Sequence, residues 1–581
     1  MTPEGALWGG PAAERALLKA RARLAGMRGH WLALLLGVWI ATLAAMMAGA
    51  ALDQPVLAAV PMVAALVLVA IVKAPLRYTL LALVFLALVL ESPSERPGNG
   101  QWKSPLYIVG ALLLANLNTT LPVRALRFSG IDLLTGLLFV VWLYRRVMGR
   151  HEVPADTPET ARPVTKFALV SFGTLMFLIA WGVVTRGDAT NALWQTQKLM
   201  YVPIMFALMS ATFRGPKDHH VIGGLIIAAA TVKGLLAVYL RMTLPGDPPY
   251  VLTHSDSMLF ATAFSIPLVR LLIKADRKSG QMCLLVMPVL IAGMICNGRR
   301  LVWVEVTISA IIVLLMTPWT PLKRALVRGL VVMLPFMPVY LAAGWNSGSA
   351  IFKPVKTFRS IADSKSDRST ETRDIENFNL IYTLKSHSII PLGFGHEYIE
   401  LVQADDISQF FQQYRYIPHN SVLGLWAFAG TLGFTGLWMV IGITVLMAAR
   451  AYRKTRDVDY QTAALCCITT VFVYLMQAYG DMGLVSWIGV FIIAPAMVVA
   501  GKLAVATGAF PSKQAVPVAA LAGAAPAAQP VPVVTYAPQP KTVIGLPPQA
   551  PQTRTIIAPA PLARTIIAPS PLEPPDPEVG K

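Results

Sequence analysis

The stretch "PHNSVLGLWAFAGTLGFTGLWMV", residues 418–440, decides how this chain folds. It opens with a proline, a histidine and an asparagine, and it continues as an apolar run in which glycine, leucine and tryptophan recur. An apolar run of roughly 20 residues is long enough to cross a bilayer as an α-helix. Asn420 and Ser421 are suitable N-cap residues for that helix. The stretch therefore predicts a membrane-spanning helix with a titratable side chain, His419, at its start.

The whole chain has the composition of a multi-pass membrane protein. Of its 581 residues, 55% are hydrophobic and only 14% are charged, whereas about 25% of the residues in soluble domains are charged. The fold class we predict is all-α, with about 12–14 transmembrane helices. The apolar runs that we interpret as spans lie at 31–52, 55–72, 77–91, 128–146, 164–185, 194–213, 219–241, 256–273, 281–297, 300–318, 325–344, 420–447, 460–478 and 483–503.

The net charge of +19 is explained by membrane topology. Lysine and arginine concentrate in alternate connections between the spans, while connections such as "DQP" at 53–55 and "YGDMG" at 479–483 have none. Basic connections stay in the cytoplasm, so both termini are expected there. Because membrane topology accounts for the positive charge, we expect no nucleic-acid partner. The four cysteines lie inside apolar runs without metal-site spacing, and we interpret them as small buried hydrophobic residues.

The assignment of spans divides the chain into five segments. The first span is interpreted as a retained anchor, because its basic leader and its apolar stretch are both long for a signal peptide. The tail is rich in proline and alanine, is expected to be disordered, and contains "RTIIAP" twice. The predicted segments are a basic cytoplasmic N-terminus at 1–30, helices 1–11 at 31–344, an extracytoplasmic loop at 345–419, three further helices at 420–505 and a cytoplasmic tail at 506–581.

Two adjacent arginines stand at the outer end of a predicted span. Arg299 and Arg300 follow "CNG", in which Asn-Gly favours a tight turn after a helix. Guanidinium groups match phosphate oxygens in a bidentate way, so this position suits the diphosphate of a lipid-linked substrate. Snorkelling to lipid head groups explains the same position equally well.

The predicted extracytoplasmic loop contains a helix and a turn. Apolar residues between 372 and 388 recur at mostly helical spacing, and "PLGFG" ends the pattern. This pattern predicts an amphipathic helix over the membrane surface, with Arg373 near its N-terminal end; a structural lid is the alternative. His419 follows, and a lone histidine at a helix start is more often a cap than a catalyst. Histidine is nevertheless the side chain best suited to accept a proton near neutral pH.

The order of these three elements resembles the O-antigen ligase and O-antigen or exopolysaccharide polymerase superfamily of bacterial membrane glycosyltransferases. The matching stretches are "NGRRLVWVEV" at 297–306, "TRDIENFNLIYTLKSHSIIPLGFG" at 372–395 and "PHNSVLGLWAFAGTLGFTGL" at 418–437. The chain departs from the family pattern at "SIIPLG", where His387 lies upstream of the position before the proline. The arginine doublet also leaves open which side chain takes the family role.

The resemblance implies a GT-C-like architecture and an activity. Family members transfer a glycan from an undecaprenyl-diphosphate carrier to an acceptor hydroxyl at the periplasmic face of the bacterial inner membrane. The acceptor is another carrier-linked glycan or lipid A core, and a chain-length co-polymerase or a flippase is a further expected partner. No metal ion and no cofactor are expected.

The resemblance also implies roles for particular residues. His419 is expected to act as the general base, and Arg299 or Arg300, together with Arg373, to bind the diphosphate. The residues expected to support the site are Asn420 and His396.

Polymerase is slightly favoured over ligase, because the long tail could contact other parts of an assembly pathway. A transporter or flippase is the alternative from another class, because Lys233 and Glu305 fall within predicted spans and such residues often mark ion routes. A scaffold that acts through its tail is a third alternative.

Overall fold

The computed structural model describes parts of 37–47, then 60–91, 105–116, 128–149, 157–214, 218–244, 248, 250–274, 276–352, 354–355, 359, 368–404, 406, 408 and 413–511. The chain divides into two units, 1–516 and 517–581, and all the described residues belong to the first. The predicted N-terminal segment, most of the first span and the tail beyond 511, with its "RTIIAP" repeats, lie outside the described residues.

The described part of the chain is all-α, as predicted, and contains no strand. The helices, numbered along the chain, are α1 Val60–Lys73, α2 Leu76–Val89, α3 Tyr107–Leu114, α4 Gly130–Val147, α5 Arg162–Val184, α6 Ala189–Thr212, α7 Asp218–Thr243, α8 Asp256–Lys274, α9 Arg277–Asn297, α10 Leu301–Met316, α11 Pro321–Met333, α12 Met337–Gly344, α13 Arg368–Ser386, α14 Ser421–Lys454, α15 Val458–Gly480 and α16 Trp487–Ala506.

Eight helices among the described residues are long and apolar enough to cross a membrane. They are α5, α7, α8, α9, the continuous pair α11–α12, α14, α15 and α16. Two shorter apolar helices, α2 and α10, coincide with the predicted spans 77–91 and 300–318. The chain is therefore a multi-pass helical membrane protein. Helix α6 is not among the eight, and its first half, "ATNALWQTQK", is polar.

Helix α16 is the buried centre of the bundle, because 94% of an 18-residue apolar window of this helix is buried. Helices α8, α10 and α15 pack against one another beside it. Ser265 of α8 lies 3.3 Å from Thr469 of α15 (Oγ to Oγ1), and Leu301 at the start of α10 packs against Gly480 at the end of α15. The beginnings of α8 and α10 and the end of α15 therefore meet at one end of the bundle. We call this end the site end.

Helix α14 is broken one third of the way along its length. Gly430 adopts φ 62° and ψ 178°, a conformation that glycine tolerates far better than other residues. The break frees backbone groups, which are expensive to leave unpaired at membrane depth. The loop after α13 pairs with them: Thr431 N donates to Ser388 O at 2.9 Å, and Gly393 N donates to Phe428 O at 2.9 Å.

The same loop is wedged against α5. The segment 391–395, which we call the PLGFG loop, touches α5 closely because Gly182 has no side chain. Phe394 N donates to Leu178 O at 3.2 Å, and Trp181 Nε1 donates to Pro391 O at 2.8 Å. The turn that was predicted only to end a helix is therefore also a docking element between α5 and α14.

Candidate functional site

A buried carboxylate, Asp481, lies at the centre of a polar cluster at the site end. It follows α15 directly, and only 5% of its side chain is exposed. His254 Nδ1 contacts Asp481 Oδ2, and Arg373 Nη2 lies 3.8 Å from the same oxygen. Arg373 also donates from Nη1 to Gly480 O at 2.9 Å. Burial raises the pKa of Asp481, but His254, Arg373 and His419 outweigh it, and the pKa lies below its ordinary value.

The structure distinguishes the two adjacent arginines. Arg299 Nη1 lies 2.6 Å from His254 Nε2, and Arg299 Nη2 donates to Leu252 O at 3.4 Å. Its guanidinium carbon lies 3.5 Å from the centre of the Tyr250 ring, which is within cation–π distance. Arg300, by contrast, is exposed and occupies the N-cap position of α10.

A tight turn produces this difference. Gly298 ends α9 in the left-handed conformation, with φ 74°, as glycine commonly does after a helix. Asn297 Oδ1 accepts a hydrogen bond from Leu252 N at 3.0 Å. This bond ties the turn to the segment before α8, which carries His254. The Asn-Gly signal in the sequence therefore predicted the turn correctly.

His419 is paired with a carboxylate of α13, Glu376, that was not among the predicted site residues. Its Nδ1 lies 3.2 Å from Glu376 Oε2, and its backbone N donates to the same oxygen at 3.0 Å. The Glu376 side chain is 3% exposed and the His419 side chain is 24% exposed. His419 O accepts from Met482 N at 2.7 Å, so the histidine adjoins the segment that begins at Asp481.

Asn420 has the predicted capping role. Its Oδ1 accepts a hydrogen bond from Leu423 N at 3.1 Å, which is the usual N-cap geometry. Its Nδ2 donates to Asn377 Oδ1 at 3.0 Å. Asn420 therefore fixes the start of α14 and also joins it to α13.

Helix α13 brings two of these side chains to the cluster. Arg373 and Glu376 are three residues apart and hence neighbours on the helix surface. The same face continues through Asn379 and Thr383, which are both buried and hydrogen-bond the backbone of 399–402. The inward face is thus largely polar. The exposed apolar residues of the helix are Phe378, Ile381 and Tyr382.

His396 is held at a different place. Its Nε2 lies 3.0 Å from Thr185 Oγ1, and its carbonyl accepts from Gln195 Nε2 at 3.3 Å. Gln195 Oε1 in turn accepts from Gly395 N at 2.6 Å. These contacts anchor the PLGFG loop to α5 and α6, so within the described residues His396 supports that loop and has no contact with His419.

Two residues of the cluster, Asp481 and His254, were missed in the sequence analysis. The role of Glu376 as the partner of His419 was also missed. Asp481 lies in "YGDMG", which attracted notice only for its lack of basic residues. His254 lies in "VLTHSD", where no spacing pattern marks it. Among the described residues, no group of three or more His, Cys, Asp or Glu side chains is arranged to hold a metal ion.

The cluster thus joins Arg299, His254, Asp481, Arg373 and the His419–Glu376 pair in one connected set. Two guanidinium groups, a buried carboxylate and a carboxylate-oriented histidine can together bind an anionic group and accept a proton beside it. No protein-family model matches the chain, and no curated protein is significantly similar to it in sequence.

Proposed function

We propose that this chain is a membrane glycosyltransferase that transfers or polymerises undecaprenyl-diphosphate-linked glycan repeats at the periplasmic face of the bacterial inner membrane. The observation that carries the proposal is the His419–Glu376 pair beside the Arg299–Asp481–Arg373 group. The ordered resemblance of the sequence to O-antigen ligases and polymerases supports the same activity.

His419 is the general base in this proposal. A carboxylate can only accept, so Nδ1 of His419 donates to Glu376, and Nε2 is left to take a proton. The acceptor sugar hydroxyl gives its proton to Nε2 while its oxygen attacks the anomeric carbon. The bond from that carbon to the diphosphate oxygen breaks, and the bond electrons leave with undecaprenyl diphosphate. Glu376 stabilises the imidazolium that forms, and base catalysis of this kind contributes about 10²- to 10⁴-fold.

Arg299 and Arg373 neutralise the leaving diphosphate. Preorganised cations at the position where charge develops usually make the largest contribution to such catalysis. Arg373 retains 34% exposure and Asp481 holds it from the buried side, which leaves guanidinium nitrogens available to a ligand. Arg299 is preferred to Arg300 because Tyr250 and His254 hold its guanidinium group inside the cluster.

Polymerase and ligase share this chemistry and differ in the acceptor. We favour the polymerase, for which the long tail is the argument, and the ligase that acts on lipid A core is the alternative. Gels of lipopolysaccharide and of secreted polysaccharide from a deletion strain separate the two. Short repeats in place of long chains support the polymerase, whereas long carrier-linked chains that never reach lipid A contradict it.

The transporter remains the alternative from another class. Lys233, one of the residues that suggested it, lies 3.0 Å from Asp256 with both side chains essentially buried, so this lysine holds α7 against α8. Glu305 is the second residue that suggested a transporter. It is fully buried and lies one helical turn after Leu301, on the face of α10 that meets α15. The structural ion pair explains Lys233 without an ion route, and this favours the enzyme.

The decisive experiment is transfer by the purified full-length protein with carrier-linked glycan as donor and acceptor. The His419→Ala variant is expected to lose at least about 100-fold of the rate while keeping the wild-type melting temperature. His396→Ala is the matched control, because it also removes an extracytoplasmic-loop histidine but affects only an anchor of the PLGFG loop, and it is expected to lose far less of the transfer rate than His419→Ala. Normal transfer by His419→Ala would reject the general base, and movement of substrate without transfer by the wild type would favour the transporter.

A further inference from the structure

His254 stands between a guanidinium group and a carboxylate, and this position determines which form of its ring fits. Nε2 lies 2.6 Å from Arg299 Nη1, and Nδ1 contacts Asp481 Oδ2. A guanidinium group only donates hydrogen bonds and a carboxylate only accepts them. Nε2 must therefore be the bare nitrogen and Nδ1 must carry the hydrogen. This is the neutral ring, in one of its two tautomers.

Protonation of the ring is incompatible with the contact to Arg299. An imidazolium would direct an N–H from Nε2 at the N–H groups of Arg299, with two positive charges in contact. Arg373 lies 3.8 Å from the same Asp481 oxygen and adds to the repulsion, whereas among the described residues Asp481 attracts the charged ring. The pKa of His254 is lowered, first by burial and also by the charges of Arg299 and Arg373.

We propose that neutral His254 is a positioning residue that holds Arg299 in the cluster, and that protonation of His254 releases Arg299 and weakens binding of a prenyl diphosphate. The identity of the ligand rests on the proposed function, whereas the link between His254 and Arg299 rests on their contact. The prediction that follows is that protonation of His254 weakens binding of the donor.

Glutamine at position 254 separates positioning from titration. Its amide oxygen can accept from Arg299 and its NH₂ group can donate to Asp481, so it keeps the polarity of the neutral ring but does not titrate. His254→Gln is expected to bind the diphosphate within about threefold of the wild type at pH 7.5. His254→Ala removes the acceptor and is expected to bind about tenfold or more weakly, the size of one lost charge-assisted hydrogen bond. His396→Gln is the matched control, since it makes the same change outside the cluster.

The first measurement is the ¹³C,¹⁵N-histidine NMR spectrum of the full-length protein in nanodiscs. The His254 signals are assigned by their loss in His254→Gln. The expected result is an Nδ1–H tautomer that stays neutral at pH 6.5. An Nε2–H tautomer, or a titration midpoint at or above 6.5, overturns the inference whether or not the protein transfers glycans.

The second measurement is the affinity for farnesyl diphosphate, a short prenyl diphosphate, between pH 5 and pH 8. The wild type is expected to lose about tenfold in affinity as the pH falls through the His254 midpoint found by NMR, beyond the loss seen in His254→Gln. The diphosphate itself titrates in this range, and the comparison of the two proteins removes that effect. Equal pH dependence in the two proteins overturns the proposal. Absence of binding by the wild type at every pH overturns the proposed donor, and the NMR result then still decides whether His254 positions Arg299.

Discussion

His419 and Glu376 are 43 residues apart in the chain, and one carboxylate oxygen of Glu376 contacts both the backbone and the ring of His419. Glu376 Oε2 accepts from the His419 backbone N at 3.0 Å and lies 3.2 Å from His419 Nδ1. The backbone bond fixes the position of the residue, and the side-chain bond fixes the orientation of the ring. The carboxylate is almost fully buried, so water competes little for either bond.

This relationship predicts the effect of changing the carboxylate. Glu376→Gln keeps the shape but replaces a charged acceptor by a neutral one. A hydrogen bond to a charged group is worth about 1.5–3 kcal/mol, so we expect kcat to fall by about 10- to 100-fold while KM for the donor changes little. Steady-state transfer kinetics measure both values. Glu371→Gln, an exposed position on the same helix, is the control, and an equal loss in that variant would contradict the orienting role.

The two arginines are expected to behave differently although they are adjacent. Arg299→Ala removes the group held by His254 and Tyr250, and we expect kcat/KM to fall by about 10- to 100-fold. Arg300→Ala removes an exposed side chain and is expected to cost less than about threefold. Arg299→Lys keeps the charge but not the planar fork, so its activity is expected to fall between the two. Donor saturation curves of the three variants provide the test, and a larger loss in Arg300→Ala would reverse the assignment.

Docking of the PLGFG loop depends on one glycine of α5. A methyl group at position 182 would lie 1.8 Å from the Phe394 carbonyl oxygen, so Gly182→Ala must displace the loop. We expect a loss of about 1–3 kcal/mol in stability, with lower transfer activity because the loop also braces α14. Gly173→Ala on the same helix has open space around it and is expected to be neutral or slightly stabilising. Thermal unfolding of both variants in one detergent makes the comparison, and equal melting temperatures would show that the loop does not need this close contact.

The pH dependence of stability is expected to report Asp481. Its pKa is lower in the folded protein than in the unfolded chain, where it is about 3.9. A carboxyl group of this kind stabilises the fold fully above the unfolded pKa, and the stabilisation is lost as the pH falls through the folded pKa. Asp481→Asn is therefore expected to be less stable than the wild type by about 1–3 kcal/mol at pH 7, with a difference that shrinks below pH 4. Unfolding curves between pH 3 and pH 7 test this, and a constant difference would show that Asp481 is not stabilised by its charge.

The sequence alone determined the fold class and much of the helix layout. Apolar runs near bilayer length identify spans without any knowledge of their neighbours, because the bilayer itself imposes the length. The Asn-Gly turn before Arg299, the cap at Asn420 and the helix that carries Arg373 are also local features, set by residues within a few positions of one another. Each of them is present in the structure close to where it was predicted.

Only the tertiary structure decided which side chains meet. Asp481 and His254 lie 227 residues apart along the chain and touch because the end of α15 and the segment before α8 reach the same end of the bundle. Helical periodicity cannot reveal this, since it describes one helix at a time. The break at Gly430 is similar: the sequence shows a glycine in an apolar run, but the partners of the freed backbone come from the loop after α13. Spans are set by local chemistry and the bilayer, whereas the cluster is set by how the spans pack.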